Sequence, residues 1–232
     1  MRLAIMQPYF MPYIGYLQLI NAVDKFVLYD DVNYINKGWI NRNRLLVNGQ
    51  EYLFTIPLKE ASQNKLICEI HLSTDPKWQG KLLKTIEQAY KKAPFYSTVS
   101  PVIEKIINFE SDLLGEWISA SFVELATYLD IHTEIVPSSR IYQNTHLKAQ
   151  DRILDICKQE AANHYINPIG GTELYDKVIF EQSGILLNFI RSKGIVYPQF
   201  KNEFVPWLSI VDLMMFNDIS TIQFFLNEYE LV

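Results

Sequence analysis

The chain has only two cysteines, Cys68 and Cys157, in 232 residues. They lie far apart and lack the paired spacing of a metal site, with His71, three residues after Cys68, the one histidine close to either. A disulfide framework is therefore not expected, and each thiol reads as core packing in a reducing cytoplasm. No run approaches the roughly 18 uncharged apolar residues that a membrane-spanning helix requires. The opening Met-Arg-Leu-Ala-Ile-Met is also too short to be the core of a signal peptide. Positive charge is in short supply, with 21 basic against 26 acidic residues and a net charge of −5. General nucleic-acid binding, which needs a surplus of phosphate-neutralising cations, is not expected. The four histidines, His71, His132, His146 and His164, form no zinc-type spacing. Walker, Gly-x-Gly-x-x-Gly and Gly-x-Ser-x-Gly patterns are absent, so no sequence motif requires a cofactor or a metal.

Apolar residues are plentiful, at 49% with 13% aromatic, enough for a sizeable core. Residues 2–6 read as a strand buried on both faces. A Pro- and Tyr-rich turn follows, then a helical pattern through Ile14, Leu17, Ile20 and Val23. Phe26-Val27-Leu28-Tyr29 reads as a second buried strand ending at Asp30-Asp31. The short crossover predicts that the two strands pair side by side. Asn41 to Pro57 reads as a β-hairpin around Asn48-Gly49, a type I′ turn signal. Leu66–Leu72 reads as a further strand. Helices are expected over 75–130, with starts at Asp75-Pro76 and Ser100-Pro101. Thereafter strands near 133–136, 165–166 and 185–190 alternate with helices near 148–159 and 173–182. Ser209 to Asp212 and Ser220 to Gln223 mark two more helix starts. With no linker or repeat, the expectation is a single α/β domain over 1–232. Its sheet is mainly parallel and flanked by helices, with the hairpin and the helical segment added.

Gln7-Pro8-Tyr9 and Pro12 to Tyr16 occupy the turn from the first strand into the first helix. Ligands of open α/β sheets bind beyond the carboxyl ends of the strands, and a helix N-terminus favours phosphate. Gln7, Pro8, Tyr9, Gly15 and Tyr16 are therefore candidate site residues, with Gly15 allowing close approach of a ligand or another backbone. Asp30 and Asp31 end the second strand. Strict alternation would send only one into the site, as a hydroxyl binder, metal ligand or general base. Arg42 and Arg44, separated by one residue, share a strand face and suit a phosphate or carboxylate. Trp39 offers a stacking surface, and Asn41 and Gln199 complete the candidate set. Ser209 and Asp212 are explained by capping.

Several stretches together resemble the WbqC-like protein family. They are Gln7 to Leu17, Phe26 to Val32, Trp39 to Arg44, Tyr90 to Tyr96, Ser138-Ser139, Arg152 to Cys157, Tyr165 to Gly171, Tyr197 to Gln199 and Val205 to Leu213. The resemblance implies a role in O-antigen or other surface-polysaccharide biosynthesis. The expected activity is a transferase acting on a nucleotide-linked sugar or a similar activated small molecule, with Asp30, Asp31 and Tyr16 as catalytic candidates. A non-catalytic binding or scaffold protein is the alternative. The expected partner is a small anionic or nucleotide-linked substrate, and self-association as a homo-oligomer stays open. A weaker likeness joins the first loop to nucleotidylyltransferases with a His-x-Gly-His motif. Here Tyr13 and Tyr16 stand in place of both histidines, which argues against adenylyl transfer.

Overall fold

A computed structural model describes residues 1–201 and 203–232. β1 (Arg2–Met6), α1 (Ile14–Asn21) and β2 (Lys25–Leu28) form the expected βαβ unit, with β1 and β2 paired in parallel from Leu3↔Lys25 to Met6↔Leu28. The hairpin of β3 (Arg42–Val47) and β4 (Gln50–Thr55) turns at Asn48 and Gly49, both at positive φ (52° and 77°). β5 (Leu58–Lys59) and β6 (His71–Leu72) are a small antiparallel pair. α2 (Lys77–Tyr90), α3 (Tyr96–Ile107) and α4 (Leu114–Leu129) make the helical segment. Then come β7 (Glu134–Val136), α5 (Ala149–Gln159), β8 (His164–Pro168), α6 (Lys177–Gln182), β9 (Leu186–Ser192), α7 (Ile210–Phe216), α8 (Ile219–Leu226) and β10 (Tyr229–Leu231).

The main sheet has six strands in the order β10-β9-β8-β1-β2-β7, parallel except for the β9–β10 pair. Both faces are covered, which is why β1 and β2 lack polar alternation. Ala4, Phe26 and Leu28 enter the larger core with α1, α4, α7 and α8. Leu3, Ile5 and Val27 enter the smaller core with α5 and α6. From β1 the chain departs on one side to β2 and β7, then returns on the other to β8. The carboxyl ends on this strand-order reversal are where an open sheet accommodates ligands.

Four boundaries differ from expectation. Leu66–Leu72 is mostly a 3-10 turn over Ile67–Glu69, and only His71–Leu72 pair as strand. α3 begins at Tyr96, ahead of Ser100-Pro101. Val99, Ile103, Ile106 and Ile107 bury its inner face, while the carbonyl that Pro101 cannot bond belongs to exposed Ser97. α6 begins only at Lys177, where Asp176 caps it by accepting from Val178 N. α8 is capped by Asp218, whose carboxylate accepts from Thr221 N, so Ser220 lies inside the helix. Among the described residues no helix is long and apolar enough to cross a membrane.

Candidate functional site

Three segments distant in sequence are stitched together beside the start of α1. Phe10 N donates to Ile40 O at 3.1 Å, Ser209 N to Arg44 O at 2.9 Å, and Ile210 N to Pro12 O at 2.8 Å. Met11 sits in the left-handed region at φ 41°. That conformation costs energy for a residue with a Cβ. It is held by full burial of the side chain and by two donors to its carbonyl, Asn43 Nδ2 and Ser209 Oγ, each at 2.7 Å. Ser209 therefore does more than cap α7, for which it also accepts from Val211 N.

Where these segments meet lies a cavity of about 270 Å³ lined by Tyr9, Pro12, Tyr13, Trp39, Asn43, Arg44 and Trp207. Its walls are largely aromatic. Arg42 and Arg44 both lie over the Trp39 ring, their guanidinium carbons 5.4 and 4.9 Å from its centroid. Arg42 Nε donates to Gly38 O at 2.8 Å, and Arg44 Nη1 pairs with Glu51 at 3.0 Å. Burial pushes the Tyr9 and Tyr13 phenols above their ordinary range, Tyr9 with help from Tyr13. Both stay protonated donors at neutral pH.

Trp207 is the most unusual wall residue. It is 64% exposed, yet its backbone is at φ 61°, a strained conformation for a bulky residue. Its ring meets Tyr13 edge-on at 5.8 Å. Gln199 clamps the chain two residues earlier, accepting from Val205 N at 2.7 Å and donating to Val205 O at 3.1 Å. The same amide donates to Asp212, which also accepts from Tyr197 and Tyr90. Asp212 is fully buried with no cation beside it among the described residues, and burial pushes its carboxyl up against the opposing pull of these three donors. Gln199 thus anchors the strained turn from beneath, and Asp212 anchors Gln199.

The remaining candidates fall elsewhere. Tyr16 is a core residue, stacked on Phe122 at 5.3 Å and donating to Gln7 O at 2.7 Å, with its phenol pushed well up by burial. Gln7 is half-buried and Pro8 buried. Asn41 is buried and spent on Tyr34 and Ile56. Gly15 does admit a close approach, but from its own chain: a Cβ there would lie 2.4 Å from the Tyr13 ring. Gly15→Ala is expected to displace that ring. Helix propensity compensates by up to ~1 kcal/mol, so thermal melts should change little while ligand affinity in titration falls several-fold.

Asp30 and Asp31 both turn inward, because β2 ends at Leu28 and strand alternation no longer applies. The single hydroxyl hydrogen of Ser139 goes to Asp31, while Asp30 Oδ1 lies 3.4 Å from the same oxygen. Asp31 forms a buried ion pair with Arg152, whose Nε donates to Asn144 and whose guanidinium lies 4.8 Å from the Tyr29 ring centroid. Asp30 Oδ1 accepts from Ser138 Oγ at 2.8 Å and Ser139 N at 3.1 Å. Among the described residues no donor reaches its Oδ2, and burial raises its carboxyl pKa. Cys68, nearby, is pushed up to about 11 by burial and then by Asp30. Arg152 had a local signal, a charge four residues before buried Ile156 on α5. Trp207 and Asn43 had no signal of their own beyond lying in two of the family-like stretches. No group of three or more His, Cys, Asp or Glu gathers as a metal site among the described residues.

A mostly parallel α/β sheet carrying an aromatic, arginine-bearing pocket beside its first strand–helix turn defines the class. The chain belongs to the WbqC-like protein family, whose model matches residues 7–224. It is similar to the uncharacterized protein Rv1507c of Mycobacterium tuberculosis, at 25% identity over 215 residues and 92% of each chain. No solved structure matches it.

Proposed function

We propose that this protein is a cytoplasmic transferase that binds a nucleotide-linked sugar, or a similarly activated small molecule, in surface-polysaccharide assembly such as that of O-antigen. Residues 1–232 act as one domain. The observation that carries this reading is the pocket: aromatic walls for a ring, with Arg44, and Arg42 beside it, for an anionic group. Asp30 supports a transfer step. It stands past the carboxyl end of β2, the neighbour of the strand from which the pocket loop departs. Among the described residues no donor reaches its Oδ2, and its raised pKa suits it to accept an acceptor's proton. Asp31, neutralised by Arg152, holds this corner in place.

A second reading, a non-catalytic binding protein of the same pathway, has one observation in its favour. Among the described residues, the pocket lining contains no carboxylate, histidine, cysteine or serine. Thermal melts across a panel of nucleotides and nucleotide sugars test the binding common to both readings. A ligand bound by the native state raises Tm, and at a hundred times Kd stabilises by about 2.7 kcal/mol. No shift with any member would remove the nucleotide-sugar reading. With a binder in hand, Asp30→Asn separates the two. The transferase reading expects unchanged affinity with turnover lost, whereas unchanged turnover would take Asp30 out of the chemistry.

A further inference from the structure

We propose that the aromatic pocket receives the glycosyl-phosphate half of the donor, not its base, and that Asn43 selects for ring hydroxyls. This rests on the nucleotide-sugar reading above and goes further by saying which half enters. Size is the first argument. About 270 Å³, at the lower edge of the roughly 300–1,000 Å³ of pockets that engulf drug-sized ligands, holds one ring with its phosphate and leaves the rest of a nucleotide sugar outside.

The chemistry of Asn43 is the second argument. Its Nδ2 donates to Phe10 O at 3.3 Å and Met11 O at 2.7 Å, and its Oδ1 accepts from Arg44 N at 2.9 Å. Reversing the amide would set oxygen against two carbonyls and nitrogen against an N–H, so the orientation is fixed. Both amide hydrogens are spent. Whatever polar contact Asn43 offers a ligand is therefore an acceptor, through the remaining lone pair of Oδ1. Beside it, Arg44 supplies only donors, and its exposed pairing with Glu51 is cheaply exchanged. A ligand must bring a donor for Asn43 and an anion for Arg44, which a hydroxylated ring with a phosphate does.

The walls are the third argument. Tyr13 and Trp207 meet edge-on at 69°, and Trp39 and Trp207 stay 38% and 64% exposed. Such half-solvated walls pack against the C–H face of a sugar while its other hydroxyls remain in water. They do not form a closed slot between parallel rings that would bury a base.

Competition calorimetry on the full chain tests this. The probes are glucose, galactose and N-acetylglucosamine 1-phosphates, the nucleoside monophosphates, inorganic phosphate, and the corresponding nucleotide sugars. At least one hexose 1-phosphate is expected to bind and to displace its nucleotide sugar. Its affinity should fall tenfold or more in Arg44→Met and in Trp39→Leu, with melting temperatures retained. Nucleoside monophosphates should displace it at least tenfold less effectively. Displacement by a nucleoside monophosphate and by no hexose 1-phosphate would overturn the assignment and leave the nucleotide-sugar reading intact. Inorganic phosphate binding as tightly as the hexose 1-phosphates would overturn it too, since the ring would then contribute nothing. Binding of a hexose 1-phosphate with no nucleotide sugar binding would keep the pocket's preference for a hydroxylated ring with a phosphate but remove the nucleotide-sugar reading, and with it the assignment of that half to a donor. If none of the probes binds, both fall.

Discussion

Replacing Arg152 with Met is expected to lower the free energy of unfolding by about 3–5 kcal/mol, the cost of leaving a buried charge without its partner. Arg152 and Asp31 are both almost completely buried, with side-chain exposures of 5% and 2%. Met at this position of α5 preserves much of the apolar stem but removes the cation. Asp31 would then keep only the Ser139 hydroxyl, and the Asn144 side chain would lose the donor to its Oδ1. Urea unfolding with an unchanged slope is the measurement. Pairing the change with Asp31→Asn should recover part of the loss, because no unpaired charge is then buried. A cost under about 1 kcal/mol for Arg152→Met would mean that the pair does not hold the carboxyl end of β2 to the first turn of α5.

The second large effect is expected at Asp212. Asp212→Leu keeps the approximate shape but deprives the Tyr90 and Tyr197 hydroxyls and the Gln199 amide of their acceptor. Each stranded buried donor costs about 1–3 kcal/mol. Relief from burying a carboxylate offsets part of this, for a net loss of about 2–4 kcal/mol. The sign of the pH dependence follows from the raised carboxyl. Between the unfolded pKa and the folded one, the native state binds the extra proton, so this group's contribution falls as pH rises through that interval. In wild type it subtracts from stability at neutral pH, and the leucine variant should lose that component of the pH profile. Ligand affinity should fall as well, because Gln199 loses its support under the Val205–Trp207 turn. Unchanged affinity in a folded Asp212→Leu protein would disconnect the network from the pocket wall.

The parts of the fold that could be read from sequence are those fixed by local chemistry. Uninterrupted apolar runs at Leu3–Ile5 and Phe26–Leu28 announce strands covered on both faces, and Asn48-Gly49 fixes the hairpin because both residues accept positive φ. β10 escaped notice because three residues at a sheet edge carry no periodicity. Pro101 misled because tertiary burial of Val99 and Ile103 outweighs one missing backbone bond. In the pocket, Tyr9, Trp39 and Arg44 were visible as an aromatic turn and a same-face cation pair. Trp207 was not, since its place beside Tyr13 arises from hydrogen bonds between Ser209 and the Met11 and Arg44 backbone, far along the chain. The capping reading of Asp212 missed Tyr90 and Tyr197 for a similar reason. A first-turn acid gives no local sign that distant hydroxyls converge on it.

The most direct test of the account is a calorimetric titration of wild type and Arg44→Met with the nucleotide sugar that gives the largest rise in Tm. Arg44 is half-exposed and its partner Glu51 lies at the surface, so the variant should lose no more than about 1 kcal/mol of stability. Removing a charge-assisted hydrogen bond to the ligand should cost about 1.5–3 kcal/mol of binding, roughly ten- to a hundredfold in affinity. That loss, in a protein that melts as wild type does, is the predicted result. Equal affinities of the two folded proteins would contradict it and take the pocket out of the function.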